Sequence, residues 1–130
     1  GVFSAQVAEH LPPPVLVAML AEAHRALRPG GLLLLETVNP RSVTGLLEVF
    51  NRDLTHERPL HPDTLRFLAA AAGFSDVRVE MRTPVSAESQ LQPVPTDGLP
   101  QPAAAVLNEN VARLNALLYG CLEYALVARR

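Results

Sequence analysis

Apolar and polar positions change period several times along the chain, and each change marks an element. Gly1 to Val7 (GVFSAQV) reads as a strand, and Pro12-Pro13-Pro14 then break the chain and suit the first turn of a helix. Leu16, Met19, Leu20, Ala23 and Leu27 recur at the spacing of one helix face, which predicts a helix over 15–28. Pro29-Gly30-Gly31 stops it, the glycines being expected to take the left-handed backbone that closes a helix C-terminus. Leu32 to Leu35 is a continuous apolar run too short for another helix, so it predicts a strand over 31–37 buried on both faces. A strand, helix, strand succession implies a right-handed crossover with parallel strands. Glu9-His10 and Thr37-Val38-Asn39 then lie along one rim, at the carboxyl ends where open α/β sheets bind ligands.

Further on, Val43, Leu46, Leu47 and Phe50 predict a helix over 42–53 capped by Ser42, and Leu54 to Pro62 (LTHERPLHP) a polar loop. Pro62 opens a helix that runs to Ala72 and stops at Gly73. Val77, Val79 and Met81 alternate with Arg78, Glu80 and Arg82, the mark of a half-exposed strand over 76–82 near a sheet edge. Prolines 84, 93, 95, 100 and 102 make 83–102 a long loop. Helix returns over 103–119, and Cys121 to Ala128 (CLEYALVA) is apolar enough for an internal strand. Neither a repeat nor a second domain interrupts residues 1–130.

Composition narrows the field of partners. The 11 basic residues, all arginine, and the 13 acidic ones give a net charge of −2 without a basic tract, which argues against nucleic acid or an anionic membrane surface. The single cysteine, Cys121, excludes an internal disulfide and fits a reducing, cytoplasmic setting. No apolar run has the length of a membrane span, and no signal peptide stands at the start, which opens inside a strand as a chain entered midway does.

The segments FSAQVAEHL, HRALRPGGLLLLETVNP, HPDTLRFLAAAAGF and YGCLEYALVARR occur in that order along nearly the whole chain. Together they resemble the C-terminal half of a class I S-adenosylmethionine-dependent methyltransferase. RDLTHERPLHPDTL is similar to a subset of bacterial methyltransferases associated with glycan or lipopolysaccharide modification. The resemblance implies an α/β, Rossmann-like sheet in which strands 1–7, 31–37, 121–128 and 76–82 lie in that order, the family's 4-5-7-6 with the last strand antiparallel. It implies S-adenosylmethionine as cofactor and a small-molecule or glycan-type acceptor. No Gly-x-Gly-x-Gly follows any strand, so the cofactor-binding half is expected in a parent protein and the isolated chain to be inactive. What the resemblance leaves here is the far wall of the cofactor site, Ala5, Gln6 and Val7, with Glu9 just beyond.

Methyl transfer is an in-line displacement, so the protein contributes positioning, exclusion of water and a general base, a task for which histidine is suited near neutral pH. His10 at the rim and His56 in the LTHERP loop are the catalytic candidates; a capping or loop-fixing role is the alternative for each. Glu36, Asn39 and Arg58 are candidates for holding the acceptor; Arg52 and Asp53 could join Arg58 on an anionic acceptor, with solvated surface charge as the alternative for all three. His61 fits a helix start, His24 a solvated helix face and Cys121 a small core residue. The spacing of His10, His56, His61 and Cys121 matches no zinc signature, so no metal is expected. The uncharged strand bearing Val2, Phe3 and Val7 has an open edge, for which a homodimer through residues 1–7 is the expected remedy. The other reading of the chain is a cofactor-free half-domain serving as a binding or dimerisation module.

Overall fold

The computed structural model describes residues 1–130. Its centre is a four-stranded sheet of β1 (Val2–Ala5), β2 (Leu32–Val38), β3 (Ser75–Arg82) and β4 (Glu123–Arg129) in the order β1-β2-β4-β3. β1 and β2 are parallel, with Val2 opposite Leu33 and Ala5 opposite Glu36. β4 runs antiparallel to both its neighbours, from Leu32 opposite Arg129 to Val38 opposite Glu123 on one side. The expected strand order and the antiparallel last strand are therefore those observed.

Helices α1 (Pro13–Ala26) and α2 (Pro62–Ala71) cover one face of the sheet. Leu16, Leu20, Ala23, Leu65 and Ala69 meet Leu33, Leu35, Leu126 and Ala128 there in a continuous core. The prediction that Leu32 to Leu35 is buried on both faces holds only in part. Leu33 and Leu35 are buried, but Leu32 is 41% exposed and Leu34 half-buried. Phe3, paired with Leu34 on that second side, is 71% exposed. Apolar side chains of α3 (Gln101–Leu118) stand outside the core as well, Leu117 at 55%.

Element ends follow local chemistry. Gly31 N donates to Arg28 O at 2.8 Å and Gly30 has φ 77°, so Pro29-Gly30 forms the middle of a type II turn. The glycines thus serve a turn one step beyond the helix, which already ends at Ala26, and do not cap it. α2 does close on a left-handed glycine: Gly73 N donates to Ala70 O and Phe74 N to Ala69 O, the paired bonds of a Schellman motif. His61 caps its start by accepting from Asp63 N at 3.2 Å, as a helix-start histidine should. His24 is half-buried, edge-on to Phe74 at 5.1 Å, and not on the solvated face expected.

The helix expected over 42–53 is instead a π-helical segment, Gly45–Val49, followed by a 3₁₀ turn, Phe50–Arg52. Close approach explains the wide winding, since a Cβ on Gly45 would stand 2.7 Å from Asn39 O and 3.1 Å from Leu122 O. Ser42 caps as expected, accepting from Gly45 N and donating to Gly120 O, and Thr44 Oγ1 donates to Leu118 O at 2.6 Å. The expected strand over 1–7 is shorter, because Gln6 turns into the left-handed region at φ 52°. β3 carries a register shift between Ser75 and Arg78, at the left-handed Asp76. None of the helices is long and apolar enough to cross a membrane.

Candidate active site

At the carboxyl rim the strained Gln6 delivers the chain into a 3₁₀ turn, Ala8–His10. Glu57 N donates to Glu9 O at 2.8 Å, which pins the loop after the π-helical segment across this turn. With Arg58 N on the same oxygen at 3.5 Å and His10 against Thr55, this contact brings the two candidate histidines together, their ring centroids 4.6 Å apart. His56 is stacked on Phe50 at 4.6 Å, and its Nδ1 lies 2.6 Å from Phe50 O. A carbonyl only accepts, so this nitrogen carries the proton and the lone pair of neutral His56 is on Nε2.

His10 is steered by Thr55. Its Nδ1 lies 3.2 Å from Thr55 O and 2.9 Å from Thr55 Oγ1, while the Thr55 hydroxyl donates to Asp53 Oδ1 at 2.6 Å. With that hydrogen committed to the carboxylate, both Thr55 oxygens act as acceptors, and neutral His10 also carries its proton on Nδ1. Thr55 N donates to the same Asp53 oxygen at 2.8 Å. The Thr55 hydroxyl, then its amide, and the neighbouring imidazoles hold the Asp53 carboxyl below the usual carboxylate range. One ligand atom from each of His10, Asp53 and His56 lies within 4.8 Å of the other two.

Beneath this cluster the interior is unusually polar. Glu9 is fully buried and neither carboxyl oxygen has a hydrogen-bond partner; the buried Thr37 hydroxyl has none either. Tyr124, also fully buried, donates to Leu60 O at 2.9 Å, and burial together with the charge of Glu9 pushes its phenol well above the ordinary value.

A cleft of about 850 Å³ opens beside the rim, between the loop after β2 and the end of α3. Arg41, His61 and Arg113 bring positive or protonatable groups to it, and Met81 and Leu117 an apolar surface. Asn39 lines it too, with its side chain bound to Cys121 O at 2.8 Å and accepting from Arg41 N at 3.1 Å. Cys121 is partly buried on the cleft wall, ahead of β4.

The other expected site residues are more scattered. Gln6 N donates to Glu36 O at 3.0 Å and its amide to Glu123 Oε1 at 2.8 Å. The Glu36 carboxylate faces Arg82 at 3.8 Å. Ala5 ends β1, and Val7 is 42% exposed beyond it. Arg58 lines a second cleft of about 320 Å³ with Pro13, Leu60 and Thr64, which shares His61 with the cleft that Asn39 lines. Sequence reasoning took Asp53 for a surface charge and passed over Thr55. Asp with Thr two residues on is itself a readable side-chain turn, but its nearness to His10 depends on the Glu57–Glu9 contact, which no local pattern announces.

The architecture has close counterparts among solved structures. A SAM-dependent methyltransferase from Archaeoglobus fulgidus superimposes on all of this chain with a TM-score of 0.95 and 31% identity. The chain has a class I methyltransferase fold. It covers 58% of that archaeal protein's length. Phosphoethanolamine N-methyltransferase 2 of Haemonchus contortus, in complex with S-adenosyl-L-methionine, matches over 99% of this chain and 32% of its own, at TM-score 0.57 and 20% identity. The small RNA methyltransferase HEN1 matches over 98% of this chain and 13% of its own, at TM-score 0.53 and 15% identity, a likeness of fold alone. No family model matches the sequence, and no curated protein does. Within the methyltransferase fold, the histidine cluster and the larger cleft both lie at the carboxyl rim on which β1 and β2 end.

Proposed function

We propose that this chain is the acceptor-side, C-terminal half of an S-adenosylmethionine-dependent methyltransferase, acting on a small-molecule or glycan-type acceptor. The observation that carries the reading is the superposition of the whole chain on 58% of the archaeal methyltransferase, together with the shared rim of His10 and His56. What the chain offers the cofactor is one wall, Ala5, Gln6 and Val7, of which Val7 and the left-handed Gln6 stand at the surface, whereas Glu9, expected beside them, is fully buried behind it. When bound, the cofactor supplies an electrophilic methyl group on a sulfonium. His10 or His56 takes the proton of the acceptor hydroxyl or amine on its Nε2, and Glu36, Asn39 and Arg58 hold the acceptor's polar groups. The cleft beside Asn39 is large enough for a small molecule or one sugar unit.

Activity assays on the chain extended by the sequence that precedes it in its gene test this. His10→Gln and His56→Gln should lower kcat by roughly 10²–10⁴-fold where the ring is the general base. Unchanged kcat in both variants would remove the histidines from the mechanism. The expected cytoplasmic setting belongs to the same proposal.

The second reading, a cofactor-free binding or dimerisation module, draws on the sheet edge. β1 pairs on one side only, and Phe3 stands exposed beside its open edge. A homodimer through residues 1–7 predicts a doubled mass in light scattering for the isolated chain, reduced to that of a monomer by Phe3→Asp. A monomer at high concentration before any substitution contradicts it.

A further inference from the structure

We propose that His10, Asp53 and His56 form a binding site for a divalent first-row transition-metal ion. The chemistry of the three groups matches such an ion: two imidazoles and one carboxylate, with coordination positions left over for water or an oxygen ligand. One nitrogen of each ring and one carboxylate oxygen already lie within 4.8 Å of one another. Around a metal with bonds of about 2.0–2.2 Å, donor atoms stand roughly 3–4 Å apart, so side-chain rotations of the half-exposed rings and the exposed carboxylate close the site.

The supporting bonds are those a metal centre needs. A ligating histidine commonly gives its second ring N–H to a carbonyl or carboxylate, which fixes the tautomer and orients the ring. His56 does so to Phe50 O at 2.6 Å and is stacked on the Phe50 ring, so Nε2 is its ligand atom. Thr55 bridges the other two groups, its oxygens facing His10 Nδ1 while its hydroxyl and amide hold Asp53 Oδ1 at 2.6 and 2.8 Å. The carboxylate is thereby oriented, and its second oxygen makes no hydrogen bond. The backbone is fixed independently by the Glu57–Glu9 bond, so the cluster does not need the ion to assemble. Hydrogen bonds inside a loop could serve loop structure alone; two imidazoles and a carboxylate converging from segments more than forty residues apart exceed what that purpose requires.

With an ion bound, His10 and His56 are ligands and cease to be proton acceptors, so the general-base role and the metal site are alternative states of the same rings. The inference does not depend on methyl transfer, because binding is read on the chain without cofactor or acceptor. The test is titration of the untagged, chelator-treated chain with Zn²⁺ in a calorimeter and with Co²⁺ by visible absorption. One equivalent should bind, with Co²⁺ giving the intense d–d bands of a low-coordinate nitrogen and oxygen site. His10→Ala, His56→Ala and the shape-preserving Asp53→Asn should each weaken binding at least tenfold, and Thr55→Val, which removes only the support, by about tenfold. The double variant His24→Gln/His61→Gln should bind as the parent does. Circular dichroism of each variant establishes that it is folded. Absence of saturable uptake by the folded parent chain, or an affinity unaltered in the His10 and His56 variants, would overturn the proposal.

Discussion

Tyr124 shows how much a single residue couples the interior of this chain to its rim. Its ring fills the core between the sheet and α2, its hydroxyl holds the loop before α2 through Leu60 O, and it lies in the field of the buried Glu9. Tyr124→Phe should cost about 1 kcal/mol at neutral pH through the lost hydrogen bond. The folded phenol titrates above the unfolded one, so its stabilising contribution is complete below about pH 10 and declines as pH rises toward the folded value. The stability gap between parent and Tyr124→Phe should therefore narrow above about pH 10 in urea titrations; parallel curves would contradict this. Asp53 has the opposite sign. Its lowered carboxyl favours the folded state above the ordinary carboxylate range, and that advantage fades as the solution becomes acid. Residues of this kind were half legible in the sequence. His10 and His56 could be singled out as imidazoles near a predicted rim, whereas Asp53 looked like any surface charge. Its hydrogen bonds to Thr55 are local, but its nearness to His10 comes with a tertiary contact of the Glu57 backbone on Glu9 O, to which composition and periodicity are blind.

Elements were more legible where the signal is local. The Schellman close of α2 at Gly73, the His61 cap and the alternation of β3 are short-range chemistry, and each stands where its residues put it. The segment after Ser42 shows the limit. Val43, Leu46, Leu47 and Phe50 have helical spacing, but Gly45 must pass the backbone oxygens of Asn39 and Leu122, and the turn widens to π to allow it. Gly45→Ala should cost roughly 1–3 kcal/mol, since both obstructing atoms are backbone and cannot rotate away. It should also disturb His56, whose Nδ1 partner, Phe50 O, directly follows the π-helical segment. Thermal unfolding reads the first effect and the imidazole NMR shifts the second. A melting temperature equal to the parent's would show that the wide turn has another cause.

For the molecule as a whole, the strand order β1-β2-β4-β3 with an antiparallel β4 was implied by the resemblance to the methyltransferase sheet, and two signs in the residues agreed with that order: an apolar last strand suited to the interior and a charged, alternating β3 suited to an edge. What the sequence could not show is which sheet face lies open. Leu34 and Phe3 look like core residues in the chain, and only the packing of α1 and α2 on the opposite side reveals them as a partly uncovered surface. β1 has an open edge with Phe3 exposed beside it, and the chain spans 58% of the archaeal methyltransferase. The central claim is that this rim works with a glycine-rich half to bind the cofactor. Calorimetric titration with S-adenosylhomocysteine tests it most directly, on the isolated chain and on the chain extended by its upstream coding sequence. The account predicts one saturable site in the extended protein, weakened by Gln6→Ala, and none in the isolated chain. An extended protein that lacks a Gly-x-Gly-x-Gly loop after a strand and takes up no S-adenosylhomocysteine would contradict it.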